Sequence, residues 1–266
     1  IVSPANRCRV TGLRPTFGRI SRYGAMALSW SMDKIGPLCR SVEDCALVFD
    51  AMRGADGRDL TVTAYPFNYD ARQDVKQLRV GYLRSAFEKR RENKANDDET
   101  LRVLKSLRIK LVPIELPEFP YEAMTIILFA EAAAAFDKLT RSNRDDLLAR
   151  QVKDAWPNVF RHSRLIPAVE YVQANRIRTL AMQAMQQVMQ GIDAYVAPSF
   201  DEADLARTNL TGHPAVVVSN GVTRKGHSSS ITFTGQLYGE AKALRVAKAY
   251  QDATNFHLKR PNLSTN

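Results

Sequence analysis

Three apolar runs in the last third of the chain constrain the fold most. They are DAYVAP (193–198), AVVVSNG (215–221) and SITFTG (230–235), separated by Gly, Pro and Ser. Their apolar residues fall on both faces of an extended chain. Runs of this kind belong inside a β-sheet that is covered by helices on both sides. The sequence therefore predicts a buried sheet.

An alternation of strands and helices precedes these runs. LRVGYL (78–83) and IKLVPIEL (109–116) read as strands, and DDETLRVLKSL (97–107) between them reads as a helix with acidic residues in its first turn. A strand, a crossover helix and a second strand favour parallel pairing. We expect an α/β fold with a mixed, largely buried β-sheet flanked by helices.

Further helices follow from capping and periodicity. Ser41, with Asp44 three residues on, forms a capping-box pattern that predicts a helix over 42–53, ended by Gly54. The segment 121–190 reads as helical with breaks at Pro157 and Pro167, and a last helix is predicted over 238–254. The chain opening IVSPANRC shows no helix start. One stripe of the long helix is predicted to be core: Val169, Val172, Ile177, Leu180, Met185, Val188 and Met189.

Length and apolar content favour one globular unit. The chain has 266 residues, of which 45% are hydrophobic, and it has neither an internal repeat nor a low-complexity linker. The long apolar run AMTIILFAEAAAAF, which contains Glu131, is shorter than the roughly 20 residues that a bilayer span requires. We expect no membrane segment, and we treat 1–266 as part of a single domain.

Charge and cysteine content narrow the partners and the compartment. The net charge is +10, which fits either an acidic partner or a solvated surface; the basic residues are scattered and interleaved with acids, which favours the surface and makes a nucleic-acid partner unlikely. Three cysteines without a C-x-x-C spacing, and four scattered histidines, indicate neither a disulfide framework nor a metal site. We expect a reducing, cytoplasmic compartment. Cys8, between Arg7 and Arg9, is a minor candidate for a reactive thiol.

Two blocks carry a family resemblance. The segment GLRPTFGRISRYG…SMDKIGPLCRSVED (12–44) contains G-L-R-P-T, G-R-I-S and a D-x-x-G-P turn before the capped helix. TNLTGHPAVVVSNG (208–221) and SITFTGQLYGEAKALRVAKAYQDAT (230–254) supply a closing turn, strand and helix. Together these resemble the amidase signature family, which also contains the A component of the tRNA-dependent amidotransferase. The resemblance implies the amidase signature fold with its N-terminal part missing.

The same resemblance implies a mechanism. The family's nucleophilic serine lies in G-x-S-I-x-x-P, and IVSP matches only the I-x-x-P portion, so the nucleophile is expected immediately before Ile1. The family's lysine and second serine are expected further upstream, together with the backbone N–H groups that stabilise the oxyanion. We therefore expect an amide-bond hydrolase that works through a Ser-Ser-Lys acyl-enzyme mechanism without metal or cofactor, and a chain that is inactive alone. Val2 departs from the family, since most members carry Arg there.

Substrate contacts are expected at three positions. Ile1 and the turn of Asp33 should lie at the floor of the acyl pocket, next to a small-molecule amide. In the amidotransferase branch an acidic residue before N-L-x-G-x-P recognises the substrate's amino group, and Asp201, Glu202 and Asp204 precede that turn here; Glu202 is our candidate, and solvated loop acids are the alternative. Removal of the upstream segment should leave apolar surface bare around Ile1, Val2 and the helix after Ser41.

Two functions from different classes remain open on the sequence. The first is an amide hydrolase that is completed by the N-terminal segment of the same fold. The second is a noncatalytic accessory or assembly subunit of that fold, whose basic surface binds an acidic partner. The coding sequence upstream of Ile1 discriminates them, because the first requires a lysine and two serines there.

Overall fold

A seven-stranded mixed sheet organises the chain. The computed structural model describes residues 1–200 and 202–260, and the side chains of 202 and 203 are outside that description. The strands follow the order β2-β1-β6-β7-β5-β3-β4 across the sheet. They are β1 (Thr11–Arg14), β2 (Leu38–Cys39), β3 (Arg79–Leu83), β4 (Lys110–Ile114), β5 (Ala194–Pro198), β6 (Ala215–Val222) and β7 (Ser228–Gly235).

Strand direction changes within the sheet. β3 runs parallel to β4 and to β5, whereas β5, β7, β6, β1 and β2 are successively antiparallel. The predicted parallel strand–helix–strand unit is therefore confirmed. Pro113 is tolerated in β4 because that strand lies at the edge of the sheet, where a missing N–H need not break a ladder.

Ten α-helices are present in the described residues, and short 3₁₀ turns accompany them. The helices are α1 (Val2–Cys8), α2 (Val42–Met52), α3 (Arg84–Glu88), α4 (Lys94–Ser106), α5 (Ile126–Ala135), α6 (Asp137–Arg141), α7 (Trp156–Ser163), α8 (Ala168–Met189), α9 (Glu202–Thr211) and α10 (Glu240–Thr254).

Alternate residues of the central strands bury themselves on opposite faces. Val216 and Val218 of β6 belong to the main core, which also contains residues of α2, α4 and α10. Val217, between them, packs with Val2 and Ala5 of α1 on the other side. On β5, Tyr195 and Ala197 pack against Met185 and Met189 of α8. The sheet is thus covered on both faces, as the apolar runs predict.

Local signals explain most helix boundaries. The capping box of α2 is present: the Ser41 hydroxyl accepts from the Asp44 amide, and the Asp44 carboxylate accepts from the Ser41 amide, each at 3.0 Å. Pro157 and Pro167 mark starts rather than breaks, because Pro157 lies in the first turn of α7 and α8 begins directly after Pro167.

Two expectations about helices need correction. The opening of the chain forms α1, with Pro4 in its first turn, although no helix start was predicted there. On α8, Met185 and Met189 are buried as predicted, but Val169, Val172 and Leu180 are exposed at 59%, 54% and 56%. The buried face of α8 uses Ala174 and Ala181 instead, because small side chains allow close approach to the helices beside it.

The expected bare apolar surface is present in part. Leu47, Val48 and Met52 of α2 are exposed, as predicted, whereas Val2 is buried and that part of the expectation is wrong. In the described part of the chain, no helix combines the length and apolar character that a membrane crossing needs.

Candidate functional site

The largest cavity is about 770 Å³ and lies where several segments meet beside the sheet. Its walls come from the loop after β1, the segment at 30–31, helices α5 and α8, the end of α9 and the loop after β7. The residues that line it are Thr16, Phe17, Trp30, Ser31, Thr61, Ala130, Glu131, Ala134, Tyr171, Arg178, Met182, Thr211, Gly212, Leu237 and Tyr238. Its volume falls within the usual range for small-molecule sites, about 300–1,000 Å³.

Glu131 is the acidic group of this cavity and is held by three donors. The amide of Ser31 donates to Oε2 at 3.1 Å, the hydroxyl of Ser29 donates to the same oxygen, and the hydroxyl of Tyr171 donates to Oε1 at 2.9 Å. Burial opposes ionisation of this carboxyl, but the hydrogen bonds outweigh burial and hold its pKa below the usual range. Glu131 is therefore a charged, fully engaged group.

Arg178 is the basic group of the cavity. Its Nε donates to the carbonyl of Leu210 at 2.6 Å, and its two terminal nitrogens donate to the Ser31 hydroxyl at 2.7 Å and the Ser31 carbonyl at 2.8 Å. Burial lowers the pKa of Arg178, and the charge of Glu131 opposes that effect. Ser31 thus contacts both charged groups and links α5 to α8.

Ile1 occupies a slot beside β1 that two glycines create. A methyl group on Gly12 would come within 2.9 Å of Cγ2 of Ile1, and one on Gly36 would come equally close to its Cδ1. The Ile1 carbonyl accepts from the Ala5 amide at 3.0 Å, so Ile1 caps α1. Burial and the charge of Arg14 lower the pKa of the Ile1 amino group. The position before Ile1 is accordingly fixed in a half-buried place.

A group of basic side chains surrounds that position. Arg14, almost fully buried, donates to the Asn209 amide oxygen at 3.0 Å and to the Thr208 hydroxyl at 2.7 Å, and burial lowers its pKa to about 10. Burial, followed by the charges of Arg14 and Arg178, holds the pKa of Lys34 well below its ordinary value. Burial also lowers the pKa of His213 to about 4, with Arg14 and Lys34 contributing.

The predicted residue Asp33 is close to this group, in a neighbouring cavity of about 550 Å³. Its carboxylate accepts from the amides of Leu28 and Ser29 at 2.8 and 2.9 Å. Lys34, next to it, donates to the Met32 carbonyl at 2.9 Å and lines the same cavity. Trp30 lines this cavity and the larger one, so it forms part of the wall between them.

The acidic candidates before the closing turn do not gather in the main cavity. Asp201 and the side chain of Glu202 lie outside the described residues. Asp204 is buried; it accepts from the Tyr195 hydroxyl at 2.7 Å and pairs with Arg207 at 3.4 Å. That carboxylate serves α9 and β5 rather than the cavity. Ile1 and Asp33 are likewise absent from the residues that line the main cavity.

Other candidate groups have ordinary roles. The three cysteines are unpaired, and Cys8 is exposed. His213, in contrast, is buried and shares a hydrogen bond of 2.8 Å with the Thr211 hydroxyl. Within 1–200 and 202–260, no three His, Cys, Asp or Glu side chains converge as a metal site would require.

Sequence reasoning missed Glu131 and Arg178 as cavity residues. The signal for Glu131 is a lone acid inside an apolar run, since a buried carboxylate needs partners. Arg178 offers a weaker signal, because it sits among other basic residues in NRIRTL.

Comparison with known proteins gives one consistent result. The family model "Amidase" matches residues 1–220. The A component of glutamyl-tRNA(Gln) amidotransferase from Roseiflexus castenholzii is 31% identical over 99% of this chain and 62% of its own length, and that from Desulfatibacillum aliphaticivorans is 28% identical over 99% and 64%. The chain thus spans less than two thirds of these relatives.

A solved structure agrees on the fold. The native peptide amidase of Stenotrophomonas maltophilia superposes with a TM-score of 0.80 at 24% identity, over 96% of this chain and 60% of that one. The fold class predicted from the sequence is therefore confirmed.

Proposed function

Because this chain belongs to the amidase family, we propose that it forms the C-terminal part of an amide-bond hydrolase. The nucleophile in this proposal is a serine immediately before Ile1, and a second serine and a lysine further upstream complete the catalytic group. The substrate is a small-molecule amide. No metal or organic cofactor enters the proposed reaction.

The placement of Ile1 is the observation that carries this proposal. The residue before it would stand at the N-terminal end of α1, half-buried and next to Arg14. Arg14 holds Thr208 and Asn209, and the same helix α9 ends at Thr211 in the main cavity. β1 connects the two places in the same way, since Thr16 and Phe17 of the cavity follow directly after it. A reacting carbonyl beside Ile1 would therefore have a cavity of suitable size close by.

The proposed reaction is acyl transfer to serine followed by hydrolysis. The serine oxygen attacks the amide carbon and its proton passes through the second serine and the lysine to the leaving amine; water then releases the acid and restores the serine. This chain supplies the position of Ile1 and the wall of the acyl cavity. Asp33 would shape the turn beside Ile1 through its two amide partners. Glu202 remains a candidate substrate contact.

The test compares two forms of the protein in an assay of ammonia release from simple amides. Residues 1–266 alone should give no turnover above background, whereas the protein with its natural upstream segment should hydrolyse amides. Alanine in place of the residue before Ile1 should lower turnover by on the order of a millionfold, as for nucleophile loss elsewhere. Cys8→Ser in the longer protein is the matched control and should leave turnover unchanged, because Cys8 is exposed and has no assigned role.

Two outcomes would contradict the proposal. Turnover by residues 1–266 alone that survives Cys8→Ser would place the chemistry within this chain. An upstream sequence without a lysine and two serines would favour the alternative, a noncatalytic accessory or assembly subunit with a basic surface for an acidic partner. The curated relatives are components of an amidotransferase that has several different subunits, which supports assembly with other chains as part of that alternative. The three unpaired cysteines fit a cytoplasmic location.

A further inference from the structure

The main cavity is apolar apart from one pair of opposite charges. Aromatic rings and aliphatic groups form most of its wall, with hydroxyl groups of threonine and serine between them. Among the described residues that line it, Glu131 and Arg178 are the charged ones. Whether the cavity takes a charged or an uncharged ligand therefore depends on whether these two side chains are available.

Both charged groups are committed to protein partners. Glu131 accepts three hydrogen bonds from Ser29, Ser31 and Tyr171. Arg178 donates three hydrogen bonds to Ser31 and to the Leu210 carbonyl, and the Glu131 charge compensates its own. A ligand carboxylate or ammonium would have to displace these contacts and leave the displaced group without its partner, which is costly at a buried site.

Aromatic side chains are fixed around the remaining space. Tyr238 holds a left-handed backbone conformation (φ 62°), its amide donates to the Thr16 hydroxyl at 2.9 Å, and its ring stacks on Tyr65 at 4.7 Å. Phe17 is anchored by its amide, which donates to the Gly212 carbonyl at 3.1 Å. Rings that are positioned in advance offer an apolar contact surface at little entropic cost.

Alanines on α5 determine how much room these rings leave. Ala130 and Ala134 lie one helical turn apart and both line the cavity, facing Met182 and Tyr171 on α8. A larger side chain at either alanine would extend into the cavity. Ala134 is the better position to change because its side chain is exposed within the cavity rather than packed.

We propose that this cavity binds the acyl part of an uncharged amide that carries an aryl or alkyl chain, and that Ala134 determines the acyl size it accepts. This inference rests on the proposed amide hydrolase function and specifies its substrate class. It excludes a charged acyl group such as that of glutamine as the preferred ligand.

The experiment measures binding without turnover. The chain contains two tryptophans, and Trp30 lines the main cavity whereas Trp156 lines a separate groove. In residues 1–266 with Trp156→Phe, Trp30 is the sole tryptophan reporter. The probes are 3-phenylpropanamide, 3-phenylpropanoate and L-glutamine. We expect a saturable change in Trp30 fluorescence with the amide, at least about tenfold tighter than with glutamine and no weaker than with the carboxylate.

A pair of variants locates the bound acyl group. Ala134→Phe should weaken binding of the phenyl amide at least about tenfold, because the added ring occupies the same space. Ala51→Phe is the matched control: Ala51 is an exposed alanine of α2 that is not part of the cavity wall, and its replacement should leave affinity within about twofold. Cooperative urea unfolding of each variant checks that it is folded.

The outcomes separate this inference from the proposed function. Tighter binding of glutamine or of the carboxylate, no binding of the phenyl amide, or equal effects of the two alanine variants would overturn the inference. Hydrolysis of other amides by the longer protein would leave the proposed function standing in each of these cases. Binding of the phenyl amide, weakened by Ala134→Phe alone, together with no hydrolysis by the longer protein, would support the ligand class and overturn the proposed function.

Discussion

Asp97 is a buried carboxyl with an incomplete set of hydrogen-bond partners. Its Oδ1 accepts from the Asn220 amide at 3.1 Å, whereas its Oδ2 has no hydrogen-bond partner in the described structure. Burial raises its pKa to about 6, and the Asn220 hydrogen bond opposes that rise. Since the folded pKa is raised, the stability contributed by this group is fully present below about pH 4 and is lost as pH rises through about 6.

Asp97→Asn should therefore gain stability relative to wild type as pH rises. The asparagine cannot ionise, so the gain between pH 4 and pH 8 should approach about 3 kcal/mol. Urea unfolding at both pH values measures it. Asp98→Asn, whose wild-type side chain is half exposed and pairs with Lys94, is the control and should not become more stable than wild type as pH rises. A pH-independent difference for Asp97→Asn would contradict the prediction.

Individual residues in the cavity were hard to predict because their partners are distant in sequence. Glu131 contacts Ser29 and Ser31, about 100 positions away, and Arg178 contacts Ser31 from still further along the chain. Ile1 was easier, because its expected place beside the D-x-x-G-P turn depends on a local motif, and the structure does bring Ile1 against Gly36.

At the scale of elements, the turn before β2 depends on a residue without a side chain. A methyl group on Gly36 would overlap the Leu13 carbonyl oxygen, and Leu13 lies in β1, which is paired on both sides. Backbone in the middle of a sheet cannot move aside at small cost. The Gly36 position also contacts Ile1, so the turn links the strand to the proposed reaction site.

Gly36→Ala should thus destabilise the protein by about 3 kcal/mol or more. Gly191→Ala is the matched control, because a methyl group there would meet nothing within 4 Å; its effect should stay within about 0.5 kcal/mol. The urea midpoints of the two variants test this. Equal stability of the two variants would show that β1 can move.

Elements were predicted well where the signal is local. The capping box marked α2, and buried β-rich runs marked β5, β6 and β7. β1 and β2 were missed because they have only four and two residues and gain their pairing from distant strands. α8 was found, but its buried face was misjudged, since periodicity identifies a stripe and cannot say which neighbours cover it.

At the scale of the whole molecule, one buried ion pair joins the two ends of the described chain. Arg19 and Glu240 are both fully buried, with Nε and Oε1 3.6 Å apart, and Glu240 also accepts from the Thr16 amide at 2.9 Å. Arg19 further donates to the Tyr65 carbonyl at 2.6 Å. Burial lowers the pKa of Arg19, and the charge of Glu240 opposes that effect.

Glu240→Gln should destabilise the protein by about 3 kcal/mol or more, because it leaves the Arg19 charge buried without its carboxylate. Replacing both partners, as in Arg19→Met with Glu240→Gln, should recover part of the loss. Asp154→Asn, in the exposed pair with Arg150 at 3.1 Å, is the control and should have no measurable effect. The prediction fails if the urea midpoint of Glu240→Gln equals that of the control.

The position of β1 in the sheet has a consequence for synthesis. β1 is among the first elements to leave the ribosome, yet Gly12 and Leu13 pair with Val217 and Val216 of β6. At about 5–20 residues per second, some 200 further residues take about 10–40 s to appear. During that interval only the two-residue strand β2 can pair with β1. The nascent chain therefore carries an open strand edge for far longer than a hairpin takes to close, and it depends on chaperones or slow collapse until β6 arrives.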